Sequence, residues 1–280
     1  MKVLVVVAAV LVIAAVLLGL RRWADERDAS RAWTQLAASS SSAGQRFEAA
    51  LVAQLPDPAR RYFLFSIAPG TPLRPVSEIT MEGELSLGTR ADPRTQPMQA
   101  RQILASPHGF VWRLRAGQGA MSIAGSDAMV ADRSWTRFWL LGLGPVARAG
   151  GDADHLRSSL GRTVAEAVAW SPASLLPQAD VAWTAEGPDT ARVTVTHRGM
   201  TQSVDIRVDA EGRPLWVRMM RWSNANPQAV YQLQPFGGEL GDFRVVDGYR
   251  LAHRLDGGNF FGTADYFPFY RARVLASTLR

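Results

Sequence analysis

The chain has 280 residues, 47% of them hydrophobic, with 31 Lys and Arg against 25 Asp and Glu for a net charge of +6. That balance excludes a disordered chain, and the absence of cysteine excludes disulfides, thiolate metal sites and a lipid-modified cysteine. The positive excess is almost all arginine interleaved with acids, as where Arg213, Arg218 and Arg221 follow Asp205, Asp209 and Glu211. It reads as a solvated surface, not as a nucleic-acid site.

From Val3 to Leu20 no charged or polar side chain interrupts 18 positions. At about 1.5 Å per residue such a helix covers about 27 Å, the thickness of a bilayer's hydrocarbon. The run closes on Val16-Leu17-Leu18-Gly19-Leu20 with no A-x-A cleavage pattern, so residues 1–22 read as an uncleaved transmembrane anchor with the bilayer as partner. Lys2 precedes the span and Arg21 and Arg22 follow it, which leans towards a cytoplasmic location for what comes after. Residues 23–45 are expected to form a juxtamembrane segment and tether. The polar stretch Arg21 to Trp33 extends the helix into solvent with Trp23 at the interface, and the serine-rich stretch 37–44 is flexible.

Residues 46–280 suit a single β-rich domain. Two short helices are expected at 47–52 and 58–65, the second with Asp57 as cap and Pro58 at its first position. From Val76 the chain alternates between apolar and polar residues and is punctuated by Gly and Pro, predicting strands at 79–87, 98–105, 110–114 and 120–124. Strands this close in sequence pair antiparallel. Leu156, Leu160, Val164 and Val168 recur every four residues and predict a helix over 152–170, started by Asp152 or Asp154 and ended by Pro172. A second meander follows at 181–185, 191–197, 202–209, 215–222, 229–234, 243–246, 249–255 and 266–275, with Asp247-Gly248 suited to a type I′ turn. The glycines between Leu141 and Gly150 imitate a dinucleotide fingerprint, but the spacing is wrong and Pro145 intrudes, so the stretch reads as a loop.

This order of features resembles a bacterial and archaeal family known only as a domain of unknown function, whose members often begin with membrane spans. The matching residues are Leu55-Pro56-Asp57-Pro58 with Arg61-Tyr62-Phe63, a Gly-rich strand with Asp127, and Leu160-Gly161-Arg162 through Glu166, Trp170, Pro172 and Leu175-Leu176-Pro177. The resemblance implies an architecture and no mechanism. The layout is also similar to the half-barrel of periplasmic lipoprotein carriers. That likeness implies an α+β fold, a large, strongly curved antiparallel sheet with a helical insertion behind the transmembrane helix, and an extracytoplasmic side against the charge lean.

Chemistry is argued mostly by absence. Lys2 is the sole lysine, so no phosphate loop exists, and there is no G-x-S-x-G. His108, His155, His197 and His253 are scattered, so neither a metal nor a cofactor is expected. Asp127 and Glu166 read either as carboxylates for acid–base work or a ligand head group, or as structural acids, Glu166 paired with Arg162 and Asp127 holding a turn. In the strand 215–222 both faces are largely apolar: Trp216, Arg218, Met220 and Trp222 on one, Leu215, Val217, Met219 and Arg221 on the other. Such a strand faces a second layer on one side and a cavity or partner on the other. The expected ligand contacts are Asp127, Glu166, Trp112, Trp139, Trp170, Trp216, Met220 and Trp222, with core packing the alternative for each aromatic. The expected function is a membrane-anchored, non-catalytic binding or carrier module for a lipid or other apolar molecule, with the helix 152–170 or the loop 142–151 as lid. The alternatives are a hydrolase or isomerase using the two carboxylates, and a structural subunit of a membrane complex.

Overall fold

A computed structural model of the chain describes residues 2–39 and 44–280. The apolar run and the polar stretch behind it form one 36-residue helix, α1 (Lys2–Ala37), long and apolar enough to cross a membrane. Residues 40–43, the centre of the expected tether, lie outside the described residues. The polar part of α1 does not run out into solvent as expected. Asp25, Ala29, Ala32 and Leu36 recur on one helical stripe and are buried, the last three packed with Val76, Ile103, Ala105, Val111, Ala128, Val130 and Trp135. The two alanines let the helix lie close to the surface beneath it.

A single 3-10 turn (Ala49–Val52) leads to α2 (Asp57–Ser66). Pro56 takes the cap position of α2, and Asp57 sits in its first turn, where it pairs with Arg60 at 2.6 Å and Arg61 at 2.7 Å instead of capping. The first meander comprises β1 (Ser77–Ser86), β2 (Thr95–Ala105), β3 (Gly109–Ala116), β4 (Ile123–Val130), β5 (Arg133–Leu140) and β6 (Gly144–Gly150). Then come α3 (Ala153–Trp170) and a 3-10 turn (Pro172–Leu175). The second meander comprises β7 (Val181–Gly187), β8 (Thr190–His197), β9 (Met200–Val208), β10 (Pro214–Ser223), β11 (Gln232–Val246), β12 (Tyr249–Asn259) and β13 (Phe267–Leu279).

The thirteen strands of the described residues form one open antiparallel sheet in the order β6-β5-β4-β3-β2-β1-β13-β12-β11-β10-β9-β8-β7. The chain starts at the centre, meanders out to one edge, crosses on α3 to the other edge, and meanders back until β13 pairs with β1. Residues of β6 and β10 line one cavity although nine strand intervals separate them. In a flat sheet they would stand roughly 43 Å apart at about 4.8 Å per interval. The sheet is therefore strongly curled, and the crossing helix fills its concave side.

Several sequence expectations are corrected in detail. β4 begins at Ile123 and not Ala120, because Gly119–Met121 form a helical turn. β5 was not anticipated, and the glycine-rich stretch expected to be a loop and lid is the edge strand β6. The strands expected at 229–234 and 243–246 are one strand, β11. Gly237, Gly238 and Gly241 break its apolar pattern without breaking its backbone; a Cβ on Gly238 would stand 2.5 Å from the Asp256 carbonyl oxygen. The Asp247-Gly248 turn has both residues at positive φ, 50° and 88°, as a type I′ turn requires. Asp152 caps α3, accepting a hydrogen bond from the His155 amide at 2.8 Å.

Alternation along β2 to β4 gives the sheet two buried faces. Leu104, Phe110, Trp112, Leu114 and Met129 belong to the concave core, and Ile103, Val111, Ala128 and Val130 lie under α1.

Candidate functional site

Between the concave face and α3 lies a cavity of about 420 Å³, within the range of about 300–1,000 Å³ common for small-molecule sites. Trp112, Leu114, Phe138 and Val146 form one wall, Val217, Phe236, Leu255, Phe269 and Tyr270 the other, and Ala165 of α3 closes the side. Its polar groups are gathered in one patch made by Asp127, Arg162, Glu166 and Arg221.

Arg162 and Glu166 stand one turn apart on α3, so both face the sheet. Asp127 lies opposite Trp112 in the β3–β4 register and points to the same side. Arg162 places Nη1 2.6 Å from Asp127 Oδ2 and Nε 2.6 Å from Glu166 Oε1, and Nη2 donates to Gln102 Oε1 at 3.0 Å. Gln102 Nε2 donates to Glu166 Oε2 at 2.6 Å, and Thr136 Oγ1 donates to Asp127 Oδ1 at 3.0 Å. The guanidinium also lies over the rings of Phe110 at 4.4 Å and Trp112 at 5.0 Å. All four carboxylate oxygens thus accept a hydrogen bond, and Asp127 sits mid-strand without shaping a turn. Burial opposes the charge on Arg162, yet Glu166 and Asp127 together hold its pKa above the usual arginine value.

Arg221 is the counter-case. It points inward from β10 with Val217 and Met219, its guanidinium 4.8 Å from the centre of the Phe236 ring. Its Nε is buried without a hydrogen-bond partner, and no ion pair reaches it among the described residues. Burial first, and the charge of Arg162 second, lower its pKa to about 10, which leaves it cationic at neutral pH.

The eight residues singled out from the sequence separate cleanly. Asp127, Glu166 and Trp112 meet at the cavity. Trp139 does not line it: Arg137 and Trp139 share the convex face of β5 by the two-residue period, and the Trp139 indole donates to Asp25 of α1 at 3.1 Å. Trp170 is buried in the core, donating to the Ala252 carbonyl at 2.9 Å. Trp216 and Met220 alternate to the convex face of β10, and among the described residues no methionine lines the cavity. Trp222 ends that strand stacked on Tyr231, and its indole donates to Asp154 of α3 at 2.8 Å. Gln102, Arg221 and Phe236 were not singled out. Arg221 continues the alternation of Val217 and Met219, but alternation by itself does not say which face turns inward.

Among the described residues no group of three His, Asp or Glu side chains gathers into a metal site. No curated protein matches the chain. Among solved structures, the chain is similar to a domain from Vibrio parahaemolyticus described as an outer membrane lipoprotein-sorting protein, at 13% identity over 73% of this chain and 85% of that one, with a TM-score of 0.38. It is also similar to a LolA superfamily protein from Nitrosomonas europaea, at 9% identity over 80% of this chain and 92% of that one, with a TM-score of 0.42. Likeness at this level concerns the course of the chain and carries nothing about ligand. A family model matches residues 45–272, and the chain belongs to that family of unknown function, DUF6544.

Proposed function

We propose that this protein is a membrane-anchored, non-catalytic binding module that takes a lipid or similar apolar molecule into its concave cavity. The observation that supports this reading most is the cavity itself. Protein interiors close to crystal-like packing, yet here aromatic and aliphatic walls stand apart around about 420 Å³ with one localised polar patch. That is the lining an amphiphile requires: a long apolar wall and a small place for a head group. Trp112 contacts the chain of the ligand in this reading, and Asp127 and Glu166 bound its polar end through Arg162. α3 acts as a fixed wall, because Arg162 and Glu166 tie it to β2 and β4. The acid–base alternative is less favoured, since each oxygen of both carboxylates already accepts a hydrogen bond.

The test compares the full-length protein with variants that fill the cavity, Val217→Trp and Ala165→Trp, by lipid extraction and mass spectrometry after purification in detergent. The reading expects an apolar molecule retained by the parent and lost from both variants at an unchanged unfolding midpoint. Equal lipid in parent and variants, or none in a parent exposed to lipid, removes it.

A further inference from the structure

We infer that the cavity's occupant carries an anionic head, a carboxylate or a phosphate ester, and that Arg221 receives it. This rests on the binding reading above and specifies its ligand class. Both carboxylates of the polar patch are spent on Arg162, which holds one on each side. Arg221, across the cavity on β10, is left with an aromatic ring beneath it and no protein acceptor. The Trp112 indole N–H is a second buried donor without a partner in the same lining. Buried donors are nearly always satisfied, and an unmatched buried cation is costly. The lining therefore sets a cation that has no ion pair among the described residues beside carboxylates already engaged by Arg162, Gln102 and Thr136, which favours an anionic head over a neutral one. The apolar walls hold the hydrocarbon part.

The experiment uses full-length protein and three probes sharing one chain, oleate, oleyl phosphate and oleyl alcohol, each displacing a fluorescent fatty acid. Oleate or oleyl phosphate should bind at least tenfold tighter than the alcohol, and comparison of the two identifies the head. Arg221→Gln should abolish that preference, and Arg221→Lys should restore part of it. Because Arg221 forms no ion pair in the fold, the glutamine variant should unfold at the same urea concentration or a higher one. Equal binding of acid, phosphate and alcohol by the parent, or a preference that survives Arg221→Gln, overturns the inference while leaving apolar binding intact. Binding of none of the three overturns both.

A separate set of contacts points to how the domain meets the bilayer. We infer that the hairpin tips at one end of the sheet, around the cavity, rest in the membrane interface. Arg22 ends the apolar run of α1, and its Nη1 donates to the Gly142 carbonyl at 3.1 Å in the β5–β6 turn. Gly142 is flanked by Leu141 and Leu143, which are 52% and 70% exposed. A Cβ on Gly142 would collide with the Arg22 guanidinium, so glycine permits the approach. The Leu141 amide bonds Ser122 of the β3–β4 turn, which carries exposed Met121, and exposed Leu87 opens the β1–β2 turn at the same end. Leu87 and Val146 also line the cavity. Past Arg22, α1 runs away from this end along the convex face, held by Asp25, Ala29, Ala32 and Leu36. If Val3–Leu20 crosses the membrane, this docking sets Leu141 and Leu143 at the level where the span emerges, and Trp23 at the same level is a customary interfacial residue.

The absence of native cysteine makes the test direct. Full-length Leu143→Cys and, at the opposite end in the β9–β10 turn, Ala210→Cys carry an environment-sensitive fluorophore in phosphatidylcholine–phosphatidylglycerol vesicles. The Leu143 label should shift to shorter wavelength and be quenched by nitroxide lipids, and the Ala210 label should do neither. A Leu143 label quenched only from the aqueous phase overturns this inference, whatever the cavity binds.

Discussion

Replacing Arg162 with methionine removes the cation between two buried acids and keeps most of the side-chain volume. Asp127 and Glu166 each lose a 2.6 Å ion pair, Gln102 loses its donor, and the rings of Phe110 and Trp112 lose the overlying charge. Breaking a buried pair by removing one partner costs about 3–5 kcal/mol, chiefly because the remaining charge is stranded. Here two acids are stranded by one change, which places the loss at the upper part of that range. Total stabilities of about 5–15 kcal/mol make this a large fraction of the fold's reserve. With a urea dependence of about 2 kcal/mol per molar, the midpoint falls by roughly 2 M. Tryptophan fluorescence of full-length protein in a mild detergent measures it. The triple variant Arg162→Met, Asp127→Asn, Glu166→Gln removes the stranded charges and should recover most of the loss. A single variant within about 1 kcal/mol of the parent, or a triple variant no better than the single, would refute the account of the patch as a mutually dependent cluster.

The dock of α1 depends on Asp25, which accepts hydrogen bonds from Arg148 at 2.7 and 3.0 Å, Arg137 at 3.1 Å and Trp139 at 3.1 Å. Hydrogen bonds to charged groups contribute about 1.5–3 kcal/mol each, so Asp25→Ala should speed amide exchange of residues 23–37 at least about tenfold, a change of about 1.4 kcal/mol; unchanged exchange argues against the dock. Burial raises the Asp25 pKa, but Arg148, Trp139 and Arg137 outweigh it and hold it below the ordinary aspartate value of 3.8. A depressed acid stabilises the fold above its unfolded pKa and loses that contribution as pH falls through the folded one. The distance between spin labels at Arg31→Cys and Arg115→Cys should therefore hold at pH 7 and broaden only below about 3.8; broadening that sets in near neutrality contradicts the assignment. Gly161 faces β9 and β10 so closely that a Cβ would stand 2.9 Å from Gln202 Oε1 and 3.4 Å from Met219 Sδ. Gly161→Val should cost about 1–3 kcal/mol by overpacking, read as a lower urea midpoint, whereas a gain would mean that α3 is free to lift.

Wherever neighbours along the chain decide, the residues already carried the answer. The uninterrupted run Val3–Leu20, the four-residue recurrence from Leu156 to Val168, the Asp247-Gly248 turn and the antiparallel meander all follow from local periodicity and backbone preference. β6 escaped because Gly144, Pro145 and Gly150 disfavour a strand locally, and pairing with β5 overrides that preference. Asp127, Glu166 and Trp112 were visible as two acids and an aromatic among the expected ligand contacts. The placements of Trp139 and Arg221 were not, because alternation sorts side chains into two sets without naming the face that turns inward. That choice is made by the curl of the sheet and by α3 and α1, which cover opposite faces. Sequence alone determined an anchor-like apolar helix, a β-rich architecture and the identity of the paired acids. Only the tertiary structure decided that Arg162, one turn from Glu166, also reaches Asp127 while Arg221 has no ion pair among the described residues, because a buried charge finds its partner across distant strands, and chain order does not encode that distance.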